Sequence, residues 1–226
     1  MKFKIILFLV CAFMVSGTTP VASEKMLSLS EIMDKVEQRY DVPDFSAYFV
    51  QESTIKAMDI SDVASGRIFV KRPGMMRWEY DKPDRQTIIT DGKQLWIYKP
   101  DDNQVMIGKA PSFFGDGKGA GFLSDIKLIR EQFKVSFEKE KSDHDYVIKL
   151  LPKEPTVGIA IIYLAISKIT FKIKKIITLN EYDDETVIEL INSKLNLNLD
   201  KSLFSFIVPE GTDVIIEGTD VIMMDE

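Results

Sequence analysis

From Asp44 onward the chain alternates short segments rich in β-branched and aromatic residues with clusters of turn formers, a spacing that restricts the fold to an antiparallel meander. The segments are residues 45–51, 66–71, 75–80, 87–90 and 94–98. Between them Arg72-Pro73-Gly74 reverses the chain, Asp91-Gly92 makes a tight hairpin and Pro100-Asp101-Asp102-Asn103 a longer one. Beyond Phe133 strands resume at 135–139, 147–151, 159–166, 171–182 and 186–196, the last three joined by short polar turns. Phe204, Phe206 and Val208 predict a final strand before Pro209.

Two stretches break this pattern. Ser28 followed by Glu31 has the form of a capping box, and Leu29, Ile32, Met33, Val36 and Tyr40 then recur at helical spacing. Residues 111–121 hold four glycines and the pair Phe113-Phe114, a loop composition, after which Phe122, Leu123, Ile126 and Ile129 return to helical spacing. Two amphipathic helices and a β meander give an α+β, β-rich fold. Composition does not distinguish a sheet curved around a hollow from one folded over a filled core, because both require the same residues.

The N-terminus carries Lys2 and Lys4, an apolar run at residues 5–15 and small residues at 16–23, which is the anatomy of a secretory signal peptide. Cleavage after Ser23 fits the small-residue rule, with Gly17 and Ala22 as alternatives. The expected organisation is a cleaved signal at 1–23, one domain at 24–217 and a frayed tail at 218–226, where a heptad beginning at Gly211 is nearly repeated from Gly218. Cys11, the only cysteine, lies inside the signal and follows Leu9 and Val10, a poor context for lipid attachment. Cleavage removes two of 29 basic residues and none of 35 acidic ones, leaving a net charge of −8. That balance argues against nucleic acid and against passive adsorption to anionic lipid heads.

No catalytic constellation emerges. His144, the single histidine, sits in the charged run Lys141-Ser142-Asp143-His144-Asp145, which reads as a solvated hairpin tip. The carboxylate pairs Asp101-Asp102 and Asp183-Asp184 fall in turns, where aspartate serves the backbone; an acid/base glycosidase remains a formal alternative.

The segment Phe45-Ser46-Ala47-Tyr48-Phe49-Val50-Gln51, the run from Gly66 through Lys71-Arg72-Pro73-Gly74 to Trp78 and Tyr80, Pro83, and the run Asp91-Gly92-Lys93 through Trp96 and Tyr98 to Pro100 closely resemble the LolA family of outer-membrane lipoprotein carriers. The residues from Phe204 to Gly211 are similar to the family's ending. The resemblance implies an incomplete antiparallel β-barrel covered by a lid of short helices around an apolar cavity, with no enzymatic activity and no cofactor. It implies that Arg72 latches the lid, and that Phe45, Phe49, Met76, Trp78 and Tyr80 line the cavity. Leu29, Ile32, Met33 and Val36 on the first helix, with Phe122, Leu123 and Ile126, are the lid candidates. Trp96 and Tyr98 share a face whose direction the sequence leaves open.

The implied setting is the periplasm of a Gram-negative cell, and the implied state a monomer. The implied partners are acylated lipoproteins as cargo, an inner-membrane ABC-type lipoprotein-releasing complex and an outer-membrane lipoprotein receptor. A lipid sensor on the same scaffold, or a carrier of another lipid or glycolipid, are the alternative readings. The glycine-rich run from Gly115 to Gly119 and the tail repeat depart from the family pattern.

Overall fold

The computed structural model describes residues 27–110, 121–138, 142–155 and 158–216. The expected signal at 1–23, the expected loop around Phe113-Phe114 and the expected tail at 218–226 lie outside the described residues.

The chain opens with α1 (Leu29–Arg39). Its capping box is formed in both directions: the Glu31 amide donates to Ser28 Oγ at 3.3 Å, and the Ser28 amide donates to Glu31 Oε2 at 2.7 Å. Two of the amides that a helix start leaves without intrahelical acceptors are thereby satisfied. Ile32, Met33 and Val36 form its buried stripe.

Strands β1 (Asp44–Ile55), β2 (Ile60–Lys71), β3 (Met75–Lys82), β4 (Gln86–Thr90), β5 (Gln94–Lys99) and β6 (Gln104–Lys109) follow as consecutive antiparallel hairpins. After a 3-10 turn (Gly121–Ser124) and α2 (Leu128–Gln132) come β7 (Phe133–Phe137), β8 (Asp145–Pro152), β9 (Ile161–Ser167), β10 (Ile173–Leu179) and β11 (Glu185–Leu195). A second 3-10 turn (Lys201–Phe204) precedes β12 (Asp213–Ile216). All twelve strands make one sheet in the order β12-β6-β5-β4-β3-β2-β1-β11-β10-β9-β8-β7. It is curved and unclosed, with β12 and β7 as its edges. The β1–β11 pairing joins the two hairpin series.

Alternation along the strands sends one set of side chains toward the helices. Phe45, Ala47 and Phe49 of β1, Ile68 and Val70 of β2, and Met76 and Trp78 of β3 are buried there, with Ile148, Leu150, Ile162, Leu164 and Ile166 from the other half. They share one cluster with the helices. Gly66 is required by this packing: a Cβ on it would lie 1.9 Å from the Glu79 carbonyl oxygen, at the register shift between β2 and β3.

Several elements differ from the sequence expectation. The second helix is split, because the Asp125 side chain accepts from the Lys127 amide at 3.1 Å and starts a new turn there. Strands β1 and β2 run well beyond residues 51 and 66 to a tip where Asp59 takes a φ of 54°, and β6 was not anticipated. Phe171 belongs to a turn, with a φ of 54°, so β10 is shorter than residues 171–182.

Phe204, Phe206 and Val208 do not form a strand. Asn196 and Asn198 adopt positive φ and turn the chain away from the sheet register, and Asp200 caps the 3-10 turn through the Ser202 amide at 2.8 Å. The segment then crosses the outer face of the sheet. There Ile89, Trp96 and Val105 form a second buried cluster, packed against Tyr98, Ile107, Phe206 and Val208. The first heptad copy supplies β12, which pairs in parallel with β6, Asp213 opposite Gln104.

Candidate latch and apolar interior

Arg72 leads out of β2 into the tight connection to β3, its amide bonded to the Pro43 carbonyl at 2.8 Å. Its guanidinium donates three hydrogen bonds to backbone carbonyls: Nε to Ser124 at 3.2 Å, Nη1 to Val42 at 3.3 Å and Nη2 to Leu123 at 3.4 Å. Leu123 and Ser124 end the first 3-10 turn, where carbonyls lack intrahelical donors, and a planar five-donor fork suits that need without any carboxylate. Burial lowers the pKa of Arg72 below its ordinary value, with Asp125 and Asp41 opposing the shift. The guanidinium stays charged throughout the working pH range. One side chain thus ties the α1–β1 connection, the β2–β3 turn and the 3-10 turn together.

The apolar candidates converge on the same space. Phe49 meets Trp78 and Tyr80 edge to face, with ring centroids 5.0 and 4.9 Å away, and Phe45 meets Tyr40 at 5.5 Å. Met76 is buried beside them, and Tyr80 is half-buried, its hydroxyl donating to Gln51 Oε1 at 3.1 Å. Burial pushes the Tyr80 phenol up to about 12, and the Tyr40 phenol likewise, although the latter accepts a bond from the Ile173 amide. From above, Ile32, Met33 and Val36 of α1 and Phe122, Leu123 and Ile126 complete one contiguous cluster, with Leu29 packed at its margin.

The side chains of α1 and of the segment from Phe122 to Ile126 therefore occupy the apolar face. Two cavities lie elsewhere: one of about 430 Å³ near the β9–β10 connection, and one of about 140 Å³ on the outer face of β1, β2 and β11. Neither is lined by Phe45, Phe49, Met76, Trp78 or Tyr80. Trp96 and Tyr98, whose direction the sequence left open, face away from the lid into the outer cluster.

A second arginine has no sequence signal. Arg130 of α2 bonds to Asp34 and Glu37 of α1, and its Nη2 donates to the Ser30 carbonyl at 3.2 Å. Asp34 and Glu37 are one helical turn apart, as a shared contact on one side requires, but nothing local marks their partner, 96 and 93 positions away. His144 is exposed at the β7–β8 connection. Among the described residues no group of three metal-ligating side chains is found.

Comparison with known proteins agrees with this architecture. The family described as outer membrane lipoprotein carrier protein LolA matches residues 41–207. The outer-membrane lipoprotein carrier protein of Nitrosomonas europaea is 29% identical over 196 residues, covering 87% of this chain and 91% of the relative. The protein of the same name in Pseudomonas aeruginosa is 31% identical over 153 residues, covering 68% and 72%. In three dimensions the chain resembles an uncharacterized conserved protein from Thermus thermophilus, with a TM-score of 0.54 at 17% identity over 83% of this chain and 98% of that one, a likeness of fold. With the family match at residues 41–207 spanning β1 to β11, Arg72 and the segment from Phe122 to Gln132, the chain belongs to the LolA family of outer membrane lipoprotein carrier proteins, a family of carriers rather than of enzymes.

Proposed function

We propose that the mature protein, residues 24–217 with its tail, works in the periplasm as a monomeric carrier that shields the acyl chains of lipoproteins and shuttles them from the inner to the outer membrane. The observation that carries this reading is the Arg72 latch: three backbone bonds hold a helical lid over an apolar face. Each buried methylene is worth roughly 0.8 kcal/mol, so a sixteen-carbon chain left in water costs on the order of 12 kcal/mol. Lifting the lid would separate Ile32, Met33, Val36, Phe122 and Leu123 from Phe49, Met76 and Trp78, and acyl chains would replace those contacts.

The closed state makes release possible. A cargo must offset the latch bonds and the lid packing before it gains anything, so net affinity falls by the free energy of closure. When an acceptor takes the acyl chains, re-formation of the latch favours emptying. An inner-membrane ABC-type lipoprotein-releasing complex would load the carrier, and an outer-membrane lipoprotein receptor would unload it.

The test is Arg72→Leu, which removes every latch donor. The variant is expected to retain acylated lipoprotein on purification, identified by mass spectrometry, and to pass it poorly to acceptor membranes bearing the receptor. Delivery at the wild-type rate would remove Arg72 from the mechanism, and a periplasmic protein that never co-purifies with acylated cargo would remove the carrier reading.

A further inference from the structure

The β9–β10 connection concentrates positive charge in an otherwise acidic chain. Lys168, Lys172, Lys174 and Lys175 fall within eight residues that contain no acid. Lys168 Nζ is committed to the Ser142 and Asp143 carbonyls, and Lys175 Nζ to Glu189 at 2.7 Å. The other two line the cavity of about 430 Å³, together with Thr170, Asn192, Ser193 and His144. Against these donors the cavity wall holds, among the described residues, one carboxylate, Asp145, which lies 2.9 Å from Lys174 Nζ. Lys172 Nζ donates to the Ser193 carbonyl at 3.0 Å. An ammonium has three N–H groups, so both lysines retain capacity for a further acceptor.

The same cavity has an apolar outer margin. Ile169, at the tip of the connection, lines it and is 88% exposed. A donor-lined recess with two lysines and one protruding aliphatic side chain fits the boundary of an anionic bilayer, where phosphates lie just outside the acyl region.

We propose that this connection is a membrane-docking site that seats the phosphate of an anionic phospholipid headgroup, with Lys172, Lys174 and Thr170 on the phosphate and Ile169 entering the acyl boundary. The net charge of the chain opposes adsorption only over distance. At physiological ionic strength that repulsion is screened beyond about 8 Å, and at contact the local lysines decide. The cavity is lined by neither Arg72 nor any of the lid candidates, and the proposal does not depend on the cargo, since vesicle binding is measured on empty protein.

The experiment is flotation of the signal-cleaved protein with phosphatidylcholine vesicles containing roughly 30% phosphatidylglycerol, compared with phosphatidylcholine alone. A preference of at least about tenfold for the anionic vesicles is expected, lost in high salt. Lys172→Gln with Lys174→Gln should reduce that binding about tenfold or more. Ile169→Ser should reduce it about threefold, and because that side chain is exposed the variant keeps the wild-type melting temperature. Equal binding to both vesicle types, or undiminished binding by the double lysine variant, would overturn the proposal. Binding of inorganic phosphate without any vesicle preference would overturn it in favour of a soluble anion. Lysine-dependent binding to an acidic protein, again without vesicle preference, would overturn it in favour of a protein contact.

Discussion

Arg72 Nε donates to the Ser124 carbonyl at 3.2 Å across 52 positions of sequence, so the β2–β3 turn and the end of the 3-10 turn are held by a bond that no local element requires. This bond and its two companions run from a charged donor to neutral backbone, and the strength of the triple contact depends on the fork geometry rather than on an ion pair.

Arg72→Lys keeps the charge and loses the fork. An ammonium at that position reaches one of the three carbonyls, so the variant should lose about 1–2 kcal/mol of stability by chemical denaturation. Amide exchange at residues 121–125 should rise toward that of Arg72→Leu. Wild-type exchange in Arg72→Lys would mean that charge alone holds the 3-10 turn in place.

Arg130→Met breaks the contact between α2 and α1. Arg130 and Asp34 are partly exposed, so screening keeps the global cost near 1 kcal/mol. The expected signature is kinetic independence. In the wild type, amides of residues 29–39 and 128–132 should exchange through a common opening, and in the variant the second group should open first. Unchanged ranking of the two would show that the two helices are coupled only through the core.

Asp44→Ala should be among the more damaging polar substitutions. Asp44 is 1% exposed, and its carboxylate accepts from the Leu197 and Leu199 amides at 2.6 and 2.9 Å, with Lys71 Nζ 3.5 Å away. Removal leaves two amides and an ammonium without that acceptor, a loss of about 2–4 kcal/mol measurable as a lower denaturation midpoint. A change within about 0.5 kcal/mol would mean that water replaces the carboxylate fully.

Alkaline titration should destabilise the lid-side cluster. Tyr40 and Tyr80 have folded-state pKa values of about 12, against an ordinary value of 10.0. A raised pKa means that the folded state binds the proton more tightly. The associated stability is complete below pH 10 and is lost as pH rises from about 10 to 12, at most about 2–3 kcal/mol for each group. Tyr80→Phe should flatten the fall in unfolding free energy over that interval, and an unchanged slope would place the titrating group elsewhere.

Much of the fold was legible because it is written locally. The Ser28–Glu31 capping box joins residues three positions apart, and the alternation that buries Phe45, Ala47 and Phe49 repeats every two. The end of the chain departs from expectation where local preference lost: Phe204, Phe206 and Val208 alternate like a strand, but the positive φ at Asn196 and Asn198 had already carried the backbone off the sheet. For the site, period-two alternation places Met76, Trp78 and Tyr80 on one face and Trp96 with Tyr98 on one face, yet it does not say which face the helices cover.

The capped first helix, the meander of short strands and the apolar faces these carry follow from local order alone, because hydrogen bonding and side-chain direction within an element depend on neighbours a few positions away. It took the packing of the whole chain to bring Arg72 to the carbonyls of Leu123 and Ser124, Arg130 to Asp34 and Glu37, and the first tail heptad alongside β6 in parallel. Those contacts join distant segments, and a backbone carbonyl, which every residue possesses, leaves no mark in the sequence to show which of them an arginine will find.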